Sequence, residues 1–140
     1  GTIKAVFFDE ELQIRSDGKF LREYFYVKDV VAAYLLLAEK MVESNIKGEV
    51  FNFGAEHRYA VNDIVDVISR LMRAPGLKKR ILNQAQTEIR DQYPDAAKAG
   101  KLLGWRPRWE MEEALKETIF WYEEFFRKNS VQQGGKTLAH

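Results

Sequence analysis

The 140-residue chain has no cysteine, two histidines, three prolines and almost no excess of either charge. Without cysteine there can be no disulfide, thiolate metal site or cysteine nucleophile, and a cytoplasmic location is expected. The two histidines are His57, within AEHRYA after a strand-like run, and His140 in the tail. They fall short of the three or four convergent ligands that a metal centre needs. The formal net charge of +1 argues against a dedicated nucleic-acid or acidic-membrane binder, since both usually carry a basic excess. No apolar run approaches the roughly 18 residues that span a bilayer. The nine glycines are scattered, and none of them builds a Gly-rich phosphate loop.

What remains is an ordinary globular composition, 46% apolar and 31% charged, enough to bury one core. TIKAVFF, 2–8, reads as a short helix packed through Ile3, Val6 and Phe7, and LQIR, 12–15, as a short strand. Ser16 to Lys19 is turn chemistry, with Gly18 supplying the left-handed backbone. Phe20 to Val27 reads as extended, and Asp29 sits where a cap would open a helix over 30–44. That helix is apolar on most of its circumference, so it is expected to be buried on more than one side. GEVFNFG, 48–54, reads as a buried strand ended by glycine.

Val61, Ile64, Val65, Ile68, Leu71 and Met72 recur at helical spacing, with Asn62 as the expected cap. Pro75-Gly76 stops that helix. KKRILN, 78–83, reads as a strand and 84–94 as irregular. The basic run Lys78-Lys79-Arg80 reads as a solvated face. Asp95 caps a short helix that ends at Gly104, and Pro107 bars continuation. A last helix over 110–128 carries Met111, Leu115, Thr118, Ile119, Tyr122 and Phe126 on one stripe, and its Phe and Trp residues are expected in the core. Glu112–Lys116, Glu123–Arg127 and Glu124–Lys128 are its i,i+4 pairs. The fold class is mixed α/β. A helix after residue 22 leading to a strand over 48–53 would make a parallel crossover. Residues 1–129 form the ordered region and 130–140 a frayed tail. The start at Gly1-Thr2-Ile3 reads as a cut inside a longer protein, the alternative being a processed intact one.

Within REYFYVKD, Tyr24 and Lys28 have the Y-x-x-x-K spacing of a dehydrogenase catalytic pair. That pair works on a helix, where residues four apart are neighbours and the lysine lowers the tyrosine's pKa. On an extended segment the two lie roughly 13 Å apart along the chain, too far to couple. The spacing is read here as coincidence.

A longer pattern is more informative. SDGKFLREYFYVKDVVAAYLLLAEK resembles the extended short-chain dehydrogenases that act as NAD-dependent nucleotide-sugar epimerases and dehydratases. In them a strand bearing R-[DE]-[YFW]-x-[YH]-[VI] runs into a helix opened by D-[VL]. Residues 22–30 match, with Glu23 in the acidic place. GEVFNFG resembles the next strand of that family, DAAKAGKLLGWRP its D-x-x-K-A-x-x-x-L-G-W-x-P segment, and EEALKETIFWYEEF its closing helix. The order and spacing agree over about residues 1–128. GTIKAV, IRSDG and EIRDQYPDAAKA look most like the nucleotide-sugar 4,6-dehydratases, the CDP-glucose type among them.

The resemblance implies the C-terminal part of a Rossmann-type enzyme: a small mixed α/β substrate lobe plus the last helix and strand of the nucleotide-binding sheet. It implies NAD as cofactor of the full-length enzyme, none bound by this chain alone, and an isolated chain without catalysis. The partners implied are a nucleotide sugar and the missing N-terminal half, with self-association through apolar surface left uncovered. By the same resemblance Arg22 binds the nucleotide diphosphate. Arg90 is a second candidate, because Ala85 stands where many relatives have an arginine. Asn52 and Gly54 lie on the cofactor side of the cleft. The other reading is a self-contained α/β binding or interaction domain.

Overall fold

The computed structural model describes residues 1–43, 46–85 and 87–134. Ten elements follow in chain order: α1 Thr2–Phe7, β1 Leu12–Ile14, β2 Leu21–Glu23, α2 Val27–Lys40, β3 Arg58–Ala60, α3 Val61–Leu71, β4 Lys79–Ile81, β5 Asp91–Gln92, α4 Ala97–Leu103 and α5 Met111–Gly134. The strands form two small sheets. β1 pairs in parallel with β4, Leu12 opposite Lys79 and Ile14 opposite Ile81. β2 is the middle strand of the other sheet. It pairs antiparallel with β3, Arg22 opposite Tyr59, and parallel with β5, Arg22 opposite Gln92.

Three apolar clusters hold these elements. Ala5, Leu12, Ile14 and Val65 join α1, β1 and α3. Ile64, Ile68 and Ile119 join α3 to α5, with Met111 and Leu115 packed against them. Ala33, Ile46, Ala99, Leu103 and Trp105 join α2 to α4. The α3 stripe does what its 3.6-residue spacing requires: Ile64, Val65 and Ile68 are all buried. Gly104 ends α4 with φ +70, a conformation glycine adopts without steric cost. The Asp95 carboxylate accepts the Ala97 N–H at 2.8 Å, but the N-cap of α4 is Ala96, one residue after the expected Asp95.

Several expectations are corrected. α2 starts at Val27 and ends at Lys40, so Asp29 is not its cap. Asp29 sits in the first turn, 2% exposed, and its carboxylate accepts the Arg108 N–H at 2.9 Å and the Trp109 N–H at 3.3 Å. It ties α2 to the connection between α4 and α5, and the helix N-terminus favours its charge. Asn62 does not cap α3 either. The first free amide, that of Ala60, is met by the Asp63 carboxylate at 3.0 Å.

Residues 48–54 are not a strand, and the crossover into them is absent. They keep the alternation of one: Phe51 and Phe53 are half-buried, Val50 and Asn52 exposed. Phe53 packs edge-on against Trp105 at 5.2 Å. What is missing, among the described residues, is a strand beside them to complete a ladder. Within the stretch read as irregular, Asp91 and Gln92 do pair, as β5.

α5 runs beyond 128 to Gly134, so 130–134 continue a helix; 135–140, His140 among them, lie outside the described residues. Glu112 meets Lys116 at 3.1 Å and Glu123 meets Arg127 at 3.3 Å, but Glu124 meets Arg127 rather than Lys128. Phe120, Trp121 and Phe125 are exposed, not core, and so is Tyr122 of the expected stripe. So are Val27, Val31, Tyr34 and Leu35, which share one face of α2, the face expected to be buried.

Asp29→Ala strands two part-buried amides and should cost roughly 1–3 kcal/mol of stability, read as a fall in the urea midpoint. Asp29→Asn keeps one acceptor and should cost about half as much. A change under about 0.5 kcal/mol for the alanine variant would contradict this role for the carboxylate.

Candidate site on the edge of strand β2

Strand alternation sends Arg22 to one face of β2 and Glu23 to the other. The guanidinium of Arg22 is fixed rather than free. Its Nη1 donates to the Leu21 carbonyl at 2.9 Å and to the Arg90 carbonyl at 3.3 Å. Its plane lies 5.5 Å from the Phe20 ring. Its Nη2 faces a Glu88 oxygen at 3.6 Å. The other oxygen of Glu88 accepts from Arg15 at 3.1 Å. A second ion pair, Arg58 with Asp91, lies where β3 and β5 flank β2, and the Arg58 guanidinium stands 4.5 Å over Tyr93.

The structure therefore brings Arg22 and Arg90 together, though not guanidinium to guanidinium. Arg90 gives its carbonyl to the Leu21 N–H at 2.9 Å and to Arg22, while its side chain is exposed. Neither Arg15 nor Glu88 stands out in the sequence. They lie 73 positions apart, and only the pairing of the strands shows that they meet.

Glu23, on the opposite face, explains Gly54. The Ala55 N–H donates to the Glu23 carboxylate, and a Cβ on Gly54 would collide with that same carboxylate. Gly54 is buried beneath Glu23, and Asn52 is exposed. The open side of this glycine is filled by a carboxylate, which would repel cofactor phosphates.

A separate cavity of about 260 Å³ lies on the far side of Tyr24, walled by Tyr24, Tyr26, His57, Trp109 and Thr118. The Tyr26 hydroxyl donates to Glu117 at 2.7 Å, and Lys28 pairs with the same carboxylate while standing 4.8 Å over Trp109. These two bonds hold the Glu117 carboxyl below its ordinary value. Burial and Glu117 push the Tyr26 phenol up to about 12. Burial also raises Tyr24, against the opposing charge of Arg22. Both phenols stay protonated near neutral pH. Lys28 is engaged by Glu117 rather than Tyr24, so the Y-x-x-x-K spacing makes no catalytic pair. Among the described residues no His, Asp or Glu cluster could hold a metal, and no helix is long and apolar enough to cross a membrane.

Comparison with known proteins agrees with this fold. The model of the NAD dependent epimerase/dehydratase family matches residues 2–54. UDP-glucuronate 4-epimerase of Thermodesulfobacterium geofontis is 27% identical over 123 residues, 87% of this chain and 36% of that protein. dTDP-D-glucose 4,6-dehydratase of Homo sapiens is 28% identical over 120 residues, 81% of this chain and 33% of that protein. The structure of UDP-glucuronic acid 4-epimerase from Bacillus cereus, in complex with UDP-glucuronic acid and NAD, matches with a TM-score of 0.78 at 26% identity. That match covers 89% of this chain and 38% of that one. The chain spans about a third of the length of the relatives it matches. In sequence and in its mixed α/β fold the chain is similar to one part of these nucleotide-sugar epimerases and dehydratases.

Glu23 provides a check on the geometry of β2. Burial raises its carboxyl above the ordinary value, with the Ala55 amide pulling the other way. A carboxyl raised in the folded state binds protons more tightly there than in the unfolded chain. Stability it contributes is therefore lost as pH climbs from the ordinary value through the raised one. Glu23→Gln removes that loss, so its urea midpoint should gain on the wild type as pH rises above the ordinary glutamate range. A difference that stays flat as pH rises would contradict a buried carboxyl at this site.

Proposed function

We propose that this relative of the NAD-dependent epimerase/dehydratase family is the substrate-binding part of a nucleotide-sugar 4,6-dehydratase or epimerase, anchoring the nucleotide diphosphate at Arg22. One observation carries the reading. Arg22 is oriented by two carbonyls and an aromatic ring on one face of β2, and its Nη2 faces a carboxylate. A guanidinium held in this way is organised in advance for an anion, and phosphate oxygens suit its planar fork of donors. Fixing the diphosphate would place the sugar through binding energy remote from the reacting carbon.

Arg90 is the second candidate, its exposed side chain adjoining the same edge. Ala85 carries no charge, so it offers no second clamp. Asn52 is retained on the cofactor side, and the part played by Gly54 is to admit Glu23. NAD belongs, in this reading, to the remainder of a longer protein, and no group of this chain is assigned to hydride transfer. The uncovered apolar face of α2 fits such a remainder or a second copy of the chain. The ordered region is taken as one unit, residues 1–129 with the helix continuing past it, working in the cytoplasm.

Isothermal titration with UDP, dTDP, CDP and GDP, and with their sugar conjugates, tests the reading. One nucleotide should be preferred, and Arg22→Ala should weaken its binding about tenfold or more. Binding by a folded chain that ignores this substitution would remove Arg22 from the site.

A further inference from the structure

We infer that Arg15 is a second arginine of the anion site and that Glu88 is its internal counter-ion, holding the place that a ligand's diphosphate takes. This rests on the diphosphate reading of Arg22 and adds two residues to it. The geometry is one carboxylate shared by two guanidinium groups. One oxygen of Glu88 lies 3.1 Å from Arg15 Nη2, and the other lies 3.6 Å from Arg22 Nη2. Two positive charges meet one negative charge, so the cluster keeps a positive excess. A diphosphate in place of the carboxylate would bring at least two negative charges and more acceptor oxygens, which balances the pair better.

The two arginines differ in how they are held. Arg22 is 25% exposed and locked by the Leu21 and Arg90 carbonyls. Arg15 is 77% exposed, and Glu88 42%. An ion pair this open contributes little to stability, so exchanging Glu88 for a ligand costs little. The backbone of Arg15 is nonetheless placed firmly. The Leu82 N–H donates to the Ile14 carbonyl at 2.8 Å, and the Gln84 N–H donates to the Arg15 carbonyl at 2.7 Å. The β1–β4 ladder thus carries on past its last paired residues and delivers Arg15 to the same edge as Arg22. A mobile head on a fixed base can follow a ligand as it settles against the rigid Arg22.

Titration calorimetry of the whole chain with pyrophosphate and with UDP tests the inference, comparing wild type with Arg15→Gln, Glu88→Gln and Arg22→Ala. Arg15→Gln should weaken both ligands about tenfold. Glu88→Gln should tighten both by roughly three- to tenfold, because the competing charge is gone. Both substitutions are on exposed side chains, and circular dichroism confirms the fold in each case. If UDP binds through Arg22 while Arg15→Gln and Glu88→Gln leave its affinity within about twofold, the inference falls and the reading of Arg22 stands. If pyrophosphate follows the expected pattern but UDP binds no better, the inference stands and the nucleotide reading falls. If wild type binds neither, both fall.

Discussion

Strand β2 is three residues long, and its pairing on both sides fixes the rest of the site. A ladder on each edge leaves no freedom to slip, because a shift by one residue would exchange its two faces. The exchange would carry Glu23 to the arginine edge and turn Arg22 toward Gly54, where there is room for a carboxylate only because glycine lacks a Cβ. Register, glycine and acid therefore depend on one another. The antiparallel partner β3 leads directly into α3, and the parallel partner β5 brings Arg90 and Glu88 alongside.

A second constraint holds the strand's exit. After Glu23 the chain passes through Tyr24, Phe25 and Tyr26 into α2, and each aromatic side chain finds a different neighbour. Tyr24 packs with the Ile64, Ile68 and Ile119 cluster, Phe25 meets Trp105 edge-on at 5.6 Å, and Tyr26 meets Trp109 at 5.0 Å. Aromatic pairs in these tilted arrangements add about 0.5–1.5 kcal/mol each beyond the area they bury. Asp29 then closes the junction by binding the backbone of Arg108 and Trp109.

Much of this was legible in the sequence because it is local. The α3 stripe, the glycine stop of α4, the turn at Gly18 and the resemblance of residues 22–30 all depend on neighbours a few positions apart. The 48–54 run shows the limit. Its alternation is real, since Phe51 and Phe53 point one way and Asn52 the other, but a strand also needs a partner that sequence periodicity cannot supply. Asp29 reads as a cap for the same reason. A carboxylate at the start of a helix has a local explanation, and its true partners lie 79 and 80 positions away. Arg22 was found through resemblance, whereas Arg15 and Glu88 are ordinary surface residues until strand pairing brings them together. On α5 the aromatic residues exceed what one buried stripe can hold, so Phe120, Trp121 and Phe125 remain outside it.

The central claim is that the anion edge of β2, and not the aromatic cavity beside it, receives the nucleotide. Backbone chemical-shift mapping by NMR during addition of UDP tests this most directly. The amides of Arg15, Leu21, Arg22, Glu88 and Arg90 should move together and saturate at one ligand concentration. Shifts gathered instead at His57, Trp109 and Thr118, with the arginine edge unmoved, would contradict the account.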